Sequence, residues 1–444
     1  MARWMVLALI SVTVFCCCFF VELMAPLKPM LESELGWGST DFGLLNSAFG
    51  FFNIFFFMLI LSGIILDRIG IRFTGIISFC LMMLGACVKY WAISTVFPED
   101  LRILGIKHQV AFASLGYAIF GVGMEAVCIT ASKTAVKWFK GREMALAMSL
   151  QTSAIRISIM LSLSVSIPVA NAFKSISAPL MLGMVFLCIG LVSFLIYCIM
   201  DRQFDRKKSF ANTEAENVFK LSDIGAILKC KAFWLIALIC LFSYSSVFPF
   251  LKYAVDLITN KFNVPLVYAG YIPAILPFAS MLCLPLFGHL FDRKGRGASM
   301  IIIGAGAITI IHLVFSLHFV QFWPIAVLLM LLLGIAFALV SAVVWPSLAK
   351  IVPERQLGTA NSLVFYIKGW GQMGMPFVIG TILDKYCITG TNAAGANTYD
   401  YTLPMIIFAV FTGLSIFISL ALKAEDRRKN FGLERPNITV RSGD

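Results

Sequence analysis

Twelve stretches of some twenty or more mostly apolar residues divide this chain. They run over approximately 4–25, 42–66, 73–96, 109–136, 144–171, 178–200, 232–256, 265–291, 298–318, 322–350, 359–384 and 402–423. A hydrocarbon layer about 30 Å thick takes roughly 20 helical residues to cross. Backbone inside it must satisfy its own hydrogen bonds, which leaves helices or closed barrels. No stretch alternates as a strand would, so the expected fold is an all-α membrane protein with twelve transmembrane helices. Composition points the same way, because 60% hydrophobic and 13% charged residues are more than a soluble chain of 444 residues can arrange around cores. The first stretch follows Arg3, carries Glu22 and lacks a small-residue cleavage pattern, so it reads as a membrane helix rather than a signal peptide. No long sorting tail precedes it, which favours a plasma membrane or bacterial inner membrane over an internal organelle.

Charge is distributed by loop. The net charge of +12 would suggest nucleic acid in a soluble protein, but here Lys and Arg sit in short connectors between apolar runs. With both termini cytoplasmic, 24 Lys and Arg fall on the cytoplasmic side. Six fall opposite: Lys28, Arg102, Lys107, Lys174, Lys261 and Lys385. That bias is the positive-inside pattern, and it excludes a nucleic-acid partner in favour of a lipid bilayer. The expected organisation is an N-terminal six-helix bundle over 1–200, a cytoplasmic linker over 201–231, a C-terminal six-helix bundle over 232–425 and a charged, mobile tail over 426–444. Ten of the twelve cysteines lie in apolar stretches without metal-ligand or C-x-x-C spacing, and act as small hydrophobes.

The two halves echo each other. Gly63-Ile64-Ile65-Leu66-Asp67-Arg68-Ile69-Gly70 follows the second stretch, and Gly288-His289-Leu290-Phe291-Asp292-Arg293-Lys294-Gly295 follows the eighth, 225 residues later. Arg142-Glu143-Met144-Ala145-Leu146-Ala147 at the fifth stretch is answered by Arg355-Gln356-Leu357-Gly358-Thr359-Ala360 at the eleventh. Parallel repeats of this kind are the plan of major facilitators, and G-x-x-x-D-R-x-G resembles the signature of their second-to-third loop. The resemblance implies a major facilitator fold of two pseudo-symmetric bundles around a central substrate cavity. Its cytoplasmic gate would be formed by Asp67, Arg68, Arg72, Asp292 and Arg293. The first glycine of each motif is expected to let helices pack closely. Each aspartate would latch onto the positive start of a helix in the other half, the eleventh for Asp67 and the fifth for Asp292. A purely topogenic role for these charges is the alternative.

Ionisable residues inside the layer cost about 2.5–3.5 kcal/mol each at a helix centre, so they face a cavity or a partner. They are Glu22, Lys89, Glu125, Lys133, Arg156, Lys252, Asp256 and Lys368. Lys89, Lys133, Lys252 and Asp256 lie near the ends of their stretches, where they are expected to snorkel to the interface. Glu125 and Arg156 flank Gly141 by 16 and 15 residues, which places both roughly 22–24 Å from that turn. They share a depth on adjacent antiparallel helices. Either they form a structural salt bridge, or Glu125 receives an ammonium while Arg156 clamps a carboxylate. Lys368 lies about 15 Å into the eleventh stretch and would favour an anion, or simply reach water. Tyr244 and Trp345, beside Pro249 and Pro346, are candidates to line a site or to pack. No P-loop, H-E-x-x-H or G-x-S-x-G is present, so the chain is read as a non-enzyme without cofactor or metal, driven by gradients.

Several blocks resemble a particular family. Lys137-Trp138-Phe139-Lys140-Gly141-Arg142-Glu143, with Leu150-Gln151 and Arg156-Ile157, is similar to the corresponding region of the major facilitator superfamily domain-containing protein 1 family. So are Gly121-Val122-Gly123-Met124-Glu125, Val247-Phe248-Pro249-Phe250, Trp345-Pro346, Val352-Pro353-Glu354 and Gln356-Leu357-Gly358-Thr359-Ala360. Glu22 matches an acidic position of its first helix. The resemblance spans all twelve stretches and implies carriage of dipeptides, as by lysosomal animal members, with Glu125 and Arg156 on the charged substrate positions. Tyr117 stands where many major facilitators carry an arginine associated with proton coupling, which argues for uniport or exchange rather than proton symport. Lys368 is more like the eleventh-helix lysine of oxalate:formate-type exchangers, so a small organic anion is the alternative substrate, and a non-transporting receptor a third reading. A monomer is expected.

Overall fold

The computed structural model describes residues 2–95, 97–98, 102–103, 105–139, 144–208, 221–353, 356–392 and 395–436, without the side chains of residues 2, 67, 144–146, 207–208 and 221–224. The chain divides into two compact units, Met1–Val218 and Phe219–Asp444.

In the first unit the spans are Ala2–Glu22, the second span discussed below, Ile71–Ser94, His108–Phe139, Met144–Phe173 and Ala178–Lys208. The second span is broken into Ser39–Phe55 and Met58–Ile69, bent by 58°. Phe57 sits at the break with φ +54°, a left-handed conformation costly for a bulky side chain. The second unit opens with a short helix, Leu221–Leu228. Its spans are Lys231–Phe262, Tyr271–Lys294, Gly297–Ser316, Trp323–Ile351, Leu357–Tyr386 and Thr402–Lys429. Among the described residues ten helices are long and apolar enough to cross a membrane, and the bent pair makes an eleventh. The remaining long helix, Leu357–Tyr386, has thirty residues but carries Asn361, Lys368, Gln372 and Asp384 among its apolar positions. Strand structure among the described residues is confined to two small antiparallel hairpins, Arg102–Ile103 with Ile106–Lys107 and Ile388–Thr391 with Asn397–Tyr399.

The two units are wired alike. In the first, the first span packs on the fifth and sixth, the fourth on the second and third, and the third on the sixth. In the second, the seventh packs on the eleventh and twelfth, the tenth on the eighth and ninth, and the ninth on the twelfth. Directional bonds converge on the leading helix of each unit. The first span accepts from Tyr117 at Val21 O (2.7 Å), from Ser158 at Phe15 O (2.6 Å) and from Ser193 at Leu9 O (2.8 Å), and so is bonded to the fourth, fifth and sixth. The seventh is bonded to the tenth through Tyr244 and Trp345 (3.2 Å), to the eleventh through Tyr253 and Pro376 O (2.6 Å), and to the twelfth through Ser243 and Ser415 (2.9 Å). Many other hydroxyls bond back one turn in their own helix, as Thr74 to Gly70 O, Thr130 to Ala126 O and Thr412 to Phe408 O do. The third and fourth spans meet at Gly85 and Gly116, where a Cβ on either would run into backbone of the other helix.

Three expectations need correction. The glycines opening the two motifs have nothing within 4 Å of an added Cβ; the closing ones are the constrained pair, Gly70 at φ +102° and Gly295 at φ +66°. Each ends a helix in a conformation that turns the chain back at no steric cost. Lys89 and Asp256 do not snorkel, being 0% and 2% exposed. Tyr401 and Asn260 (2.9 Å) both donate to the Asp256 carboxylate, while Asn260 accepts from Tyr399 N–H (3.1 Å) and Tyr399 donates to Asp384 (3.2 Å). Asp256 therefore pins the Ile388–Tyr399 hairpin to the seventh span. Finally, the sixth helix runs on to Lys208 and the twelfth to Lys429, and residues 430–436 pack on the unit rather than trailing from it. Residues 209–220 of the expected linker and 437–444 of the expected tail lie outside the described residues.

Candidate functional site

In the first unit, Glu22 ends the first helix and is buried, at 4% exposure. Beside it Tyr117 lies flat under the Lys89 ammonium, whose Nζ is 3.6 Å from the ring centroid and 5.4 Å from that of Phe20. A cation over an aromatic face is attracted by the ring quadrupole, more so when desolvated. Glu22 lies within electrostatic range of Tyr117, and both Glu22 and Glu125 within range of Cys18. The first and fourth helices thus bring the two carboxylates around one stretch, Cys18 to Glu22. Arg156 is buried on the fifth helix, and Ser158 two residues on docks that turn against Phe15 of the first. The cation over Tyr117 thus comes from the third span. Position near a helix end could not reveal this, because Tyr117 arrives from another helix to cover Lys89.

The second unit gathers Lys368, Tyr244 and Trp345. The Lys368 ammonium is 5.0 Å from the Tyr244 ring and 4.5 Å from that of Phe365, one turn earlier on its own helix. Trp345 stacks on Phe365 at 4.9 Å and donates to Tyr244 Oη at 3.2 Å, and Tyr244 donates onward to Ser341 at 3.4 Å. Phe248 and Phe337 also pack on Tyr244. The result is an ammonium beside two aromatic rings, one of which, Tyr244, belongs to a hydrogen-bonded chain of indole and hydroxyls. Phe365 was not singled out from the sequence, although its i, i+3 spacing from Lys368 is the signal that would have found it.

Of the gate residues, the Asp67 side chain and residues 140–143 and 354–355, at the starts of the fifth and eleventh spans, lie outside the described residues. Arg68 and Arg293 are exposed, and Asp292 is half-buried within electrostatic range of Lys350. Arg72 is engaged inside its own unit. Its Nε donates to Asp201 at 2.9 Å and its terminal nitrogen to Asp205, while Lys137 reaches both carboxylates at 2.8 Å and Trp138 donates to Asp201 at 3.2 Å. This cluster ties together the ends of the third, fourth and sixth helices.

The Major Facilitator Superfamily profile matches residues 10–376. The lysosomal dipeptide transporter MFSD1 of Homo sapiens is 26% identical over 393 residues, which cover 86% of this chain and 80% of that protein. Its Mus musculus counterpart is 27% identical with the same coverage. Among solved structures, a variant of the nucleoside transporter NupG superposes with a TM-score of 0.71 at 15% identity, over 94% of this chain and 99% of the other. A bacterial homologue of the human lysosomal transporter Spinster, solved inward-facing and occupied, gives 0.70 at 14% identity over 94% and 96%. At such identities the structural likeness speaks for the fold. With its paired bundles and a profile match across most of its length, the chain belongs to the Major Facilitator Superfamily.

Proposed function

We propose that the protein carries dipeptides or similar small amphoteric solutes across a membrane by alternating access, as a uniporter or exchanger. The observation that carries this reading is the set of opposite charges held inside one bundle, Glu125 on the fourth helix and Arg156 on the fifth. A zwitterionic peptide has an ammonium for the first and a carboxylate for the second, and the guanidinium fork suits a carboxylate. The likeness to MFSD1, named as a lysosomal dipeptide transporter, supports it. Glu22 contributes a second carboxylate, and Lys368 with Tyr244 and Trp345 a recognition element in the second unit. Both termini face the cytoplasm in this reading, and Asp67 and Asp292 govern rate. The relatives' name makes a lysosomal membrane a candidate beside the plasma membrane.

The test is uptake into proteoliposomes of a dipeptide panel beside a dicarboxylate panel. Glu125→Gln and Arg156→Gln should each weaken dipeptide binding by on the order of a hundredfold, because each strands the other charge in a low-dielectric site. Together they should fall well short of additive. A second reading, exchange of small organic anions, is favoured by Lys368 beside its two aromatic rings. If Glu125→Gln leaves binding intact while Lys368→Ala removes it, that reading replaces the first.

A further inference from the structure

The two units tie the same three helix ends by different means. In the first unit the tie is the charge cluster of Arg72, Lys137, Asp201 and Asp205. The 225-residue offset that relates Asp67 to Asp292 relates Arg72 to Gly297 and Asp201 to Asp426, and the fifth-to-eleventh echo relates Lys137 to Lys350. The second unit therefore keeps the carboxylate and the lysine but has glycine in place of Arg72, with Arg296 one residue earlier at the helix cap. A segment of the chain itself stands in for Arg72.

After the twelfth helix, Asn430 turns the chain at φ +58° and Gly432 at φ +80°, and residues 433–435 lie back along the start of the ninth helix. Arg296 N–H donates to Glu434 O at 3.1 Å and Gly297 N–H to Leu433 O at 2.9 Å. The Glu434 carboxylate accepts from Ser299 N–H at 3.0 Å and from its hydroxyl at 3.0 Å. These are first-turn donors that no helix can satisfy internally, and a carboxylate at that end is favoured by the helix dipole. Lys350 donates to Gly432 O and Arg435 O, both at 2.9 Å, and Lys423 to Ser299 Oγ at 2.7 Å. Leu433 is fully buried and donates its N–H to Asp426 at 3.0 Å. Gly297 has room for no side chain, because a Cβ would press on Phe291 and on Leu433 O.

We propose that this end of the second unit is a peptide-binding groove whose occupant is the chain's own segment 430–436, and that docking of the segment sets how firmly the loop carrying Asp292 and Gly295 is held. The groove reads the ligand by main-chain donors at 296, 297 and 299, a pocket for one leucine and a seat for one carboxylate. The first unit's tie is made by side chains rooted in its helices; this one is a strap that can leave. Docking is independent of what is carried, and its effect on rate rests on the transporter reading.

The experiment compares amide exchange of the full chain in detergent with that of Glu434→Gln, Leu433→Asp and a chain ending at Asn430. Exchange at Arg296, Gly297 and Ser299 should accelerate by roughly tenfold or more, with the first unit unchanged. Ser299→Ala paired with Glu434→Gln, which retains size and fold, should be non-additive. Unchanged exchange at the three amides overturns the groove. Accelerated exchange with unaltered turnover of dipeptide uptake overturns its control of rate. Absence of dipeptide uptake by the unaltered protein would count against the substrate reading, and exchange would still decide docking.

Discussion

Asp201→Asn should be the most costly single neutralisation in the first unit's charge cluster. The Asp201 side chain is 1% exposed and accepts from Arg72, Lys137 and Trp138. Removing one member of a buried ion pair typically costs about 3–5 kcal/mol because the partner stays desolvated. Here the stranded cations are not sealed: the Arg72 and Lys137 side chains are 36% and 23% exposed, and both retain Asp205. Water returns part of the loss, so a cost of about 1.5–3 kcal/mol is expected. For a unit of some 200 residues, about 1 kcal/mol corresponds to roughly 2–4 °C, which gives a fall of roughly 3–12 °C in the melting temperature. Asp205, at 40% exposure, should cost less than about 1 kcal/mol when changed to Asn. Thermal unfolding of detergent-solubilised protein, followed by tryptophan fluorescence, measures both. The ring of Trp138 packs on Phe204 beside the cluster and reports directly. If Asp205→Asn lowers the melting temperature as much as Asp201→Asn does, the argument from burial is wrong.

Other consequences can be checked alongside it. Gly116→Val should destabilise the third–fourth helix contact by about 1–3 kcal/mol, seen as a lower melting temperature; a neutral result would mean the two helices can part freely. Asp256→Asn and Tyr401→Phe should each speed amide exchange in the Ile388–Tyr399 hairpin, and equal protection in both variants would show that the hairpin is held otherwise. Tyr117→Phe, which loses the bond to Val21 O, should cost about 1 kcal/mol while sparing the ring under Lys89. Asp292→Asn should lower the rate of uptake more than substrate affinity, and the reverse pattern would remove it from the gate.

The twelve-helix plan was legible because apolar length and loop charge are local properties of the chain. Even Leu357–Tyr386, whose polar residues are spread along its length, could be placed by its echo of the first half. The break at Phe56 and Phe57 was not, since a run of phenylalanines carries no helix-breaking residue. Tyr244, Trp345 and Lys368 were each identifiable as unusual within a membrane helix, but their joining needed the packing of the seventh, tenth and eleventh helices. Lys89 was misjudged because the distance to a helix end says nothing of a tyrosine arriving from another helix. Residues 430–436 resembled a loose tail because their order comes from main-chain donors at the far-removed start of the ninth helix, which no periodicity announces.

The convergence of bonds on the first and seventh helices has a mechanical consequence. A hydroxyl bonded back within its own helix presents its neighbour with a surface free of directional attachments, so that neighbour can shift by fractions of an ångström while breaking no hydrogen bond. A helix bonded to three others cannot do so without losing several at once. Each bundle therefore has a rigid spine, the leading helix with the three it holds. Helices outside that set, the second and third in one bundle and the eighth and ninth in the other, are bonded at fewer points: the second through Asn53 to Gly121 O, and the third and ninth at their ends, through Arg72 to Asp201 and through Lys423 to Ser299. Any internal deformation during a working cycle should appear first in those outlying helices, with the spine as the frame against which it is measured.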